Sequence, residues 1–210
     1  MTNFLIWSIL SEVSWVAIDR RQLILEAATK SFSLFGYKAT TMDQVSKLAN
    51  VGKGTIYTFF KNKEELFDEI ISSLIKDMKA VAEQEIKHDS TIDENVNRVL
   101  FKLLEFRKSH QLTIKLFQEE REIGTQAVVD VVQRVEQAII NYMKGIIQEA
   151  IDRGEIKPCN PEITAFIMLK MYVSLIFDWE QQHTPLDKEE ISKLFRLYFF
   201  DGLSNKPLHP

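Results

Sequence analysis

Cysteine is nearly absent from this sequence, because Cys159 is the only one in 210 residues. A disulfide framework within the chain is therefore excluded, which predicts a reducing, cytoplasmic setting. We interpret Cys159, beside Pro158, as a loop residue, with a redox-sensing thiol as the alternative. The four histidines do not stand at the spacing of metal ligands. Ser/His/Asp and Cys/His motifs and a glycine-rich dinucleotide loop are also missing, so we predict no enzyme, no cofactor and no metal.

Strand-like alternation, internal repeats and low-complexity tracts are absent after residue 18. The composition, 45% apolar and 27% charged, suffices for a buried core in a soluble globular protein. Apolar residues recur at helical spacing, and we predict nine helices, three short and basic and then six in an acidic body. The expected fold is therefore all-α, with a three-helix head over residues 19–66 and a six-helix body over residues 67–210.

Lys and Arg are absent from the first eighteen residues, MTNFLIWSILSEVSWVAI. A secretory signal needs a basic start and a small-residue cleavage site, and a membrane span needs about 20 apolar residues, whereas Glu12 interrupts this stretch. Three interpretations stay open for residues 1–18: an artefactual or upstream translation start, a helix that packs on the body, or an anchor at a membrane surface. We expect no stable membrane association of the protein.

Acidic residues are scarce between Asp19 and Lys63, a segment with three of them against eight basic residues. This segment carries a formal charge of +5, so the rest of the chain must carry −9 to give the total of −4. A basic module on an acidic body is typical of a protein that reads nucleic acid with one half and binds another partner with the other half.

The predicted helices have recognisable ends. The first, RRQLILEAATKSFSLFG, is expected to end at a capping Gly36. Its apolar residues share one face: Leu23, Ala27, Ala28, Phe32 and Phe35. Thr41 opens a capping box for the next helix, a short helix follows over residues 53–59, and Asn62 caps a long helix to about Lys87. Further helices are predicted over residues 92–108, 110–120, 126–153, 161–181 and 188–201.

The stretch VGKGTIYTFFKNKEEL permits two interpretations, a phosphate-binding loop or the start of a helix that enters DNA. A nucleotide-binding loop needs the pattern G-x-x-x-x-G-K-[ST], but Gly54 follows Lys53, and Lys47 stands where the first glycine should be. The preceding residues also form an amphipathic helix, whereas such a loop follows a buried strand. A helix, a tight turn at NVG and a second short helix instead indicate a helix-turn-helix, whose second helix enters the major groove.

The residues of this motif resemble a known family. The stretch ILEAATKSFSLFGYKA and the following ATTMDQVSKLANVGKGTIYTFFKNKEEL are similar to the DNA-binding domain of the tetracycline-repressor (TetR) family of bacterial transcriptional regulators. The resemblance covers residues 21–66, and beyond Phe67 only length and helix count match. It implies a repressor that binds a near-palindromic double-stranded DNA operator as a homodimer and responds to a small effector bound in the body.

The resemblance assigns eight DNA-contacting residues: Thr40, Thr41, Lys53, Gly54, Thr55, Tyr57, Thr58 and Lys63. The two adjacent threonines resemble family positions that touch phosphate at a helix N-terminus. Lys53 can donate to guanine, and Gly54 lets the backbone approach the groove. Tyr57 and Lys63 match phosphate contacts. A plain helix cap at Thr41 and a plain turn residue at Gly54 are the alternatives. Three residues of the same stretch are interpreted as packing: Ile56, Phe59 and Phe60.

The last two helices are too apolar for the surface of a monomer. From Ile163 to Trp179 only Lys170 and Asp178 are charged. An amphipathic helix needs one apolar stripe, so a second stripe indicates a second partner. We predict a two-fold dimer in which both helices pair with their copies as a four-helix bundle, with a buried central helix in a monomer as the alternative. The predicted interface residues are Ile163, Phe166, Met171, Leu194, Phe195 and Tyr198.

The body is expected to bind a small, largely apolar effector. The apolar candidates for its pocket are Phe101, Phe106, Phe117, Tyr142 and Met143. The polar candidates are Arg107, His110, Glu119 and Asn141. The long helix after Asn62 is predicted to act as a lever between this pocket and DNA. A DNA-bound structural or interaction protein without an effector is the alternative, and the response of DNA binding to small molecules discriminates the two.

Overall fold

The computed structural model describes residues 19–87, 89–105 and 111–201, and the regular elements in these ranges are helices. Nine α-helices follow one another: α1 Arg20–Ala39, α2 Met42–Leu48, α3 Lys53–Phe59, α4 Lys63–Glu85, α5 Ile92–Glu105, α6 Gln111–Glu122, α7 Gln126–Asp152, α8 Pro161–Val173 and α9 Lys188–Phe195. A π-helical segment, Ser174–Asp178, extends α8, and another, Arg196–Phe200, extends α9. The predicted all-α fold is confirmed. We call α1 to α3 the head and α4 to α9 the body.

Some of the predictions concern residues outside the described ranges. These are residues 1–18, Phe106, Arg107 and His110. Among the residues that the structure does describe, no helix is long and apolar enough to cross a membrane. In the same part of the chain, no group of three or more His, Cys, Asp or Glu side chains is placed to hold a metal ion. Cys159 lies in the connection between α7 and α8, as predicted for a loop residue.

The head is built around α1, whose buried face differs from the predicted one. Ile24, Ala28 and Phe32 are fully buried and recur every four residues, so they form one stripe along the helix. Leu23 and Phe35 are 37% and 55% exposed, so their assignment to this face is wrong. Leu23 directly precedes Ile24 and lies at the edge of the buried stripe.

Gly36 ends the first regular stretch of α1. Its φ of 81° and ψ of 171° lie outside the helical region, in a range that glycine adopts without steric penalty. The first regular helical stretch therefore ends at Gly36, as predicted, and a second short helical segment follows the kink to Ala39. Phe35 is the last residue before the kink and lies outside the buried stripe of α1.

Local capping fixes the starts of several helices in the head and in the body. Thr41 Oγ1 accepts from the Gln44 N–H at 3.2 Å, and Gln44 Oε1 accepts from the Thr41 N–H at 2.9 Å, which confirms the predicted capping box. Asn62 Oδ1 accepts from the Glu65 N–H at 2.8 Å and caps α4. Asp187 forms a second capping box before α9. These short-range hydrogen bonds therefore set the helix starts.

Aromatic rings join the head to the body. The Phe67 side chain of α4 is 1% exposed, and its ring centroid lies 5.1 Å from that of Phe32 and 4.6 Å from that of Tyr37. The α6 helix also packs along α1, over a longer contact than α4 makes. One apolar core continues from the head into the body through these contacts. The orientation of the head is thus determined by two body helices.

Candidate functional site

The helix-turn-helix consists of α2, the turn over residues 49–52 and α3. Asn50 has a φ of 52°, a left-handed conformation that asparagine tolerates better than most residues. The Asn50 N–H donates to Lys47 O at 3.1 Å, and the Val51 N–H donates to Ser46 O at 2.9 Å. This pair of bonds is a Schellman motif, which ends α2 and redirects the chain into α3. The tight turn predicted at NVG therefore depends on Asn50.

The α3 helix has one buried side. Ile56 is fully buried, and Phe60, directly after the helix, is 1% exposed. Both confirm the predicted packing role. Phe59 is 38% exposed, so its prediction as a packing residue is wrong. The reason is that Phe60 makes the core contact at the end of α3 and leaves the neighbouring ring outside the core.

The other side of α3 carries predicted DNA-contacting residues. Lys53, Gly54, Tyr57 and Thr58 are exposed, and Thr55 is half-buried. Gly54 has no positive φ, and a Cβ built on it would meet nothing within 4 Å. Neither the backbone conformation nor the space around Gly54 therefore requires glycine among the described residues. The alternative interpretation of Gly54 as a plain turn residue loses its support. Close approach of another molecule to the backbone does account for it.

The Lys53 side chain is held only loosely. Its Nζ lies 3.8 Å from Asp43 Oδ1, whereas Lys47 Nζ lies 2.7 Å from the same carboxylate. The Lys47 ammonium, with a smaller contribution from Lys53, lowers the pKa of Asp43. All three side chains are exposed, and exposed ion pairs stabilise a fold little. The Lys53 ammonium can therefore leave Asp43 for a base edge or a phosphate.

The two predicted threonine contacts lie in different surroundings. Thr40 is fully buried, and its hydroxyl lies 3.0 Å from Ser31 Oγ and donates to Gly36 O at 2.8 Å. The prediction that the Thr40 side chain touches phosphate is therefore wrong, because the hydroxyl is used inside the head. Thr41 is exposed at the N-terminus of α2, where it serves as the cap. A capping role and contact with an anion are compatible at this position.

Lys63 holds the connection between α1 and α2. Its Nζ donates to the carbonyls of Tyr37 at 2.9 Å and Thr40 at 3.0 Å, and lies 4.1 Å from the Tyr37 ring centroid. Burial lowers the pKa of the ammonium. Two of its three N–H groups are thereby used, and one remains for a phosphate. The resemblance indicated a phosphate contact only, because residue patterns do not reveal partners that are backbone carbonyls.

A cavity of about 230 Å³ lies in the body between α4, α5, α6, α7, α8 and α9. Its lining extends along α4 from Ile75 to Ile86 and along α7 from Val135 to Ile146, which corresponds to a length of about 16 Å at 1.5 Å per residue. Most lining residues are apolar, and those with polar or charged groups are Lys79, Asn95, Thr113, Tyr142 and Tyr172. Within the described part of the chain, the Thr113 hydroxyl is buried without a hydrogen-bond partner.

Three predicted pocket residues line this cavity: Phe117, Tyr142 and Met143. Phe101 does not line it, so its assignment is wrong; its ring centroid lies 5.2 Å from Lys188 Nζ. Asn141 is exposed and accepts from Gln137 at 3.1 Å, so its assignment is wrong as well. Glu119 is buried but bonded to α1, away from the cavity lining.

The α4 helix supplies lining residues that the prediction missed. They are Ile75, Met78, Lys79, Ala82 and Ile86. Their spacing of three and four residues is that of one helical face, so the apolar pattern of α4 was a usable signal. The prediction treated α4 as a lever only. The same helix therefore both lines the cavity and begins at the helix-turn-helix.

Five exposed apolar side chains lie on α8 and on the extended α9: Ile163, Phe166, Ile167, Leu197 and Tyr198. We call this set the α8–α9 face. Three of its members are predicted interface residues, and Leu194 is half-buried beside them. Phe195 is 4% exposed and lines the cavity, and Met171 is half-buried against the core, so neither forms part of the exposed face. The reason is that α9 turns Ile191, Phe195 and Phe199 inward.

Comparison with known proteins matches both parts of the chain. Residues 24–70 match the family of bacterial regulatory proteins, tetR family, and residues 89–203 match the tetracyclin repressor-like C-terminal domain. The HTH-type transcriptional regulator YhgD of Bacillus subtilis (strain 168) is 64% identical over 189 residues, which are 90% of this chain and 99% of that protein. The fatty acid metabolism regulator protein of the same strain is 32% identical over 142 residues, 64% of this chain and 69% of that protein.

A solved structure, the SmeT–triclosan complex, has a similar fold, with a TM-score of 0.72 at 18% identity over 91% of this chain and 98% of that one. The two sequence relatives are named as regulators. The exposed side of α3 has the position of a groove-reading surface. The chain belongs to the tetR family of bacterial regulatory proteins and is a DNA-binding transcriptional regulator.

Proposed function

We propose that the protein is a ligand-responsive repressor that binds a near-palindromic operator as a homodimer. The exposed side of α3 carries this proposal, because Lys53, Gly54 and Tyr57 project from a helix that Ile56 anchors in the core. A two-fold dimer presents two such helices to successive turns of the major groove. Counterion release at the two basic heads supplies sequence-independent attraction, and contacts to base edges select the operator.

Selection of duplexes from a random pool by the wild-type protein tests this function. The recovered sequences should be near-palindromes with half-site centres about one helical turn, 10–10.5 base pairs, or slightly more apart. Footprinting should protect both half-sites together. Recovery of unrelated sequences, with uniform affinity at matched salt, would instead favour a DNA-bound structural protein.

Lys53→Ala is expected to weaken binding to the selected operator by about 1–3 kcal/mol and to relax the preference at one base pair per half-site. The reason is that Lys53 begins α3 and its ammonium pairs with an exposed carboxylate at 3.8 Å. Affinity measurements on operators with single base changes give both quantities. Lys61→Ala is the matched control, since Lys61 is an exposed lysine outside α3. Equal losses in the two variants would remove Lys53 from the base-reading set.

We also propose that Tyr57, Thr58 and the third N–H of Lys63 contact the backbone or the bases of the same half-site. Tyr57 and Thr58 are exposed on one helix, and Thr58 Oγ1 donates to Thr55 O at 2.7 Å. The Thr58 hydroxyl oxygen can still accept from a base or a bridging water. Lys63 lies at the start of α4, where its ammonium sits beside the N-terminal end of the helix-turn-helix.

The proposed effector is an elongated, largely hydrocarbon molecule. The cavity lining is about 16 Å long on α4 and α7 and is mostly apolar, which suits an alkyl or acyl chain better than a compact polar metabolite. The buried Thr113 hydroxyl can donate to one polar atom of such a molecule. The relative named as a fatty acid metabolism regulator supports the same chemical class.

Ala138→Phe is expected to abolish the effect of a fatty acid on operator binding, because Ala138 lines the cavity and a benzyl group would fill part of it. Dodecanoate serves as the probe. In the wild type it should weaken operator binding by about 5–150-fold, and operator should weaken dodecanoate binding by the same factor. Calorimetry with and without operator measures both. Gln148→Phe, on the exposed side of α7, should behave as the wild type.

A further inference from the structure

Glu119 on α6 is a buried carboxylate whose partners lie in the head. The side chain is 3% exposed. Its Oε2 accepts from the Tyr37 N–H at 2.6 Å, and its Oε1 accepts from the Lys38 N–H at 2.9 Å and from Thr125 Oγ1 at 3.1 Å. A buried charge is tolerated only when hydrogen bonds replace its hydration. The two backbone bonds therefore make the position of α1 a condition for burying Glu119.

The kink at Gly36 is what makes these bonds possible. At a φ of 81° the chain leaves the helical path, so the N–H groups of Tyr37 and Lys38 turn toward α6. A Cβ at position 36 would overlap Glu119 Oε2, and the Lys115 side chain packs over the same site. Gly36 therefore satisfies two requirements at once, the positive φ and the space for the carboxylate. We call Glu119 with the backbone of residues 36–38 the α6–α1 clasp.

The clasp lies between the cavity and the helix-turn-helix. On the cavity side, Thr113 and Phe117 of α6 line the cavity, and the Phe117 ring centroid lies 5.3 Å from that of Phe177 in the π-helical extension of α8. Arg121, two residues after Glu119, pairs with Asp178 of that extension. Any molecule that occupies the cavity between α6 and α8 therefore contacts the helix that carries Glu119.

On the head side, the clasp leads to the residues that precede the helix-turn-helix and to the start of α4. Tyr37, which donates its N–H to Glu119, accepts from Lys63 through its carbonyl and donates its hydroxyl to Glu64 Oε1 at 2.9 Å. Lys63 also binds the carbonyl of Thr40, the residue before the α2 cap. Hydrogen bonds and the Tyr37 residue thus connect the Glu119 carboxylate to the residue before the α2 cap and to the start of α4.

We infer that Glu119 is a positioning residue that fixes the angle of the head on the body and couples displacement of α6 to DNA binding. The inference rests on the proposed function, which supplies the effector. It places a second connection between cavity and head, through α6, beside the one predicted through α4. The α6 helix packs along α1 over a longer contact than α4 does. Its carboxylate bonds are directional, so they restrict the angle of α1 more than apolar packing can.

Glu119→Gln tests the inference with little change in side-chain size. The amide offers one carbonyl oxygen in place of two carboxylate oxygens, and its NH₂ group would face a backbone N–H. Amide hydrogen exchange of Tyr37 and Lys38 should accelerate by about tenfold or more. Operator affinity without effector should fall by about 5–50-fold, because the heads then sample more orientations. The factor by which dodecanoate weakens operator binding should approach one.

Leu116→Ala is the matched control, because Leu116 is a buried residue of the same helix and takes no part in the clasp. It should lower Tm but leave the exchange of Tyr37 and Lys38 and the operator affinity of the folded dimer unchanged. Gly36→Ala, which crowds the carboxylate without removing its charge, should reproduce the loss of operator affinity seen in Glu119→Gln. It also serves as the test variant if Glu119→Gln does not fold.

The outcomes separate this inference from the proposed function. Unchanged operator affinity and unchanged exchange at residues 37 and 38 in both clasp variants would overturn the inference. So would a loss of operator affinity in Leu116→Ala as large as that in Glu119→Gln. If dodecanoate does not affect the wild type, the proposed effector class fails, and the exchange and affinity measurements without effector still decide the role of Glu119.

Discussion

Replacement of Leu197 and Tyr198 by Asp is expected to give a folded monomer whose operator affinity is lower by about 100-fold or more. Both side chains are exposed on the α8–α9 face, at 56% and 66%, so the charges do not enter the core of the protomer. In a two-fold dimer the new carboxylates of the two protomers would lie close together in an apolar interface, where they repel each other. A dimer binds its second half-site intramolecularly, which contributes about 10²–10⁴ in affinity.

Sedimentation equilibrium at micromolar concentration, followed by mobility-shift titration of the selected operator, measures both parts of this result. The matched control is Leu34→Asp, because Leu34 is a leucine of similar exposure, 54%, on the head. This control should remain dimeric. If the Leu197 and Tyr198 variant stayed dimeric and bound operator normally, the interface would lie elsewhere. Phe195→Asp does not test the interface, because Phe195 belongs to the core.

Phe67→Ala is expected to lower the free energy of unfolding by about 3–5 kcal/mol, the range for removal of a buried phenylalanine ring. Phe67 packs against Phe32 and Tyr37, so the cavity left behind lies where α4 meets α1. Operator binding should be lost at a lower denaturant concentration than the helical content of the body is. The reason is that the stability of the head depends on the contact of Phe67 with Phe32 and Tyr37. Circular dichroism and operator binding across the same denaturant series measure the two transitions.

Phe59→Ala provides the comparison for stability. It removes the same ring from an exposed position, where substitutions usually change stability by less than about 0.5 kcal/mol. A similar loss of stability in both variants would mean that Phe59 packs against a part of the molecule outside the described ranges, or against the partner protomer. Coincident loss of operator binding and of body helices in Phe67→Ala would mean that head and body unfold as one unit.

Features that depend on neighbouring residues were predictable from the sequence. The capping box at Thr41, the helix 53–59 and the buried Ile56 follow from hydrogen bonds and spacing within a few residues of the chain. The resemblance to the tetR family depends on the same stretch, in which glycine, lysine and tyrosine stand at fixed spacing. Local rules therefore suffice for the helix-turn-helix and for much of its exposed side.

Features that depend on distant contacts were not predictable. Glu119 bonds to backbone N–H groups 81 and 82 residues away, and every residue except proline carries such a group, so the sequence contains no mark of the pairing. Phe101 and Phe117 are both aromatic residues on body helices, yet only Phe117 lines the cavity. When a helix has two apolar sides, tertiary packing decides which of them faces the cavity. Helical spacing in the sequence does not contain this information.

Gly54 has a consequence for the evolution of stability in this chain. A glycine inside a helix is less favourable than alanine by about 0.5–1 kcal/mol, and nothing in the described residues would obstruct a methyl group there. Alanine at position 54 would make α3 a more stable helix and differs from glycine by one methyl group. The chain nevertheless has glycine there. Selection for thermal robustness alone would replace this glycine. Its presence is what the proposed approach of α3 to the groove of a DNA duplex would require, at the expense of a helix that could otherwise be stronger.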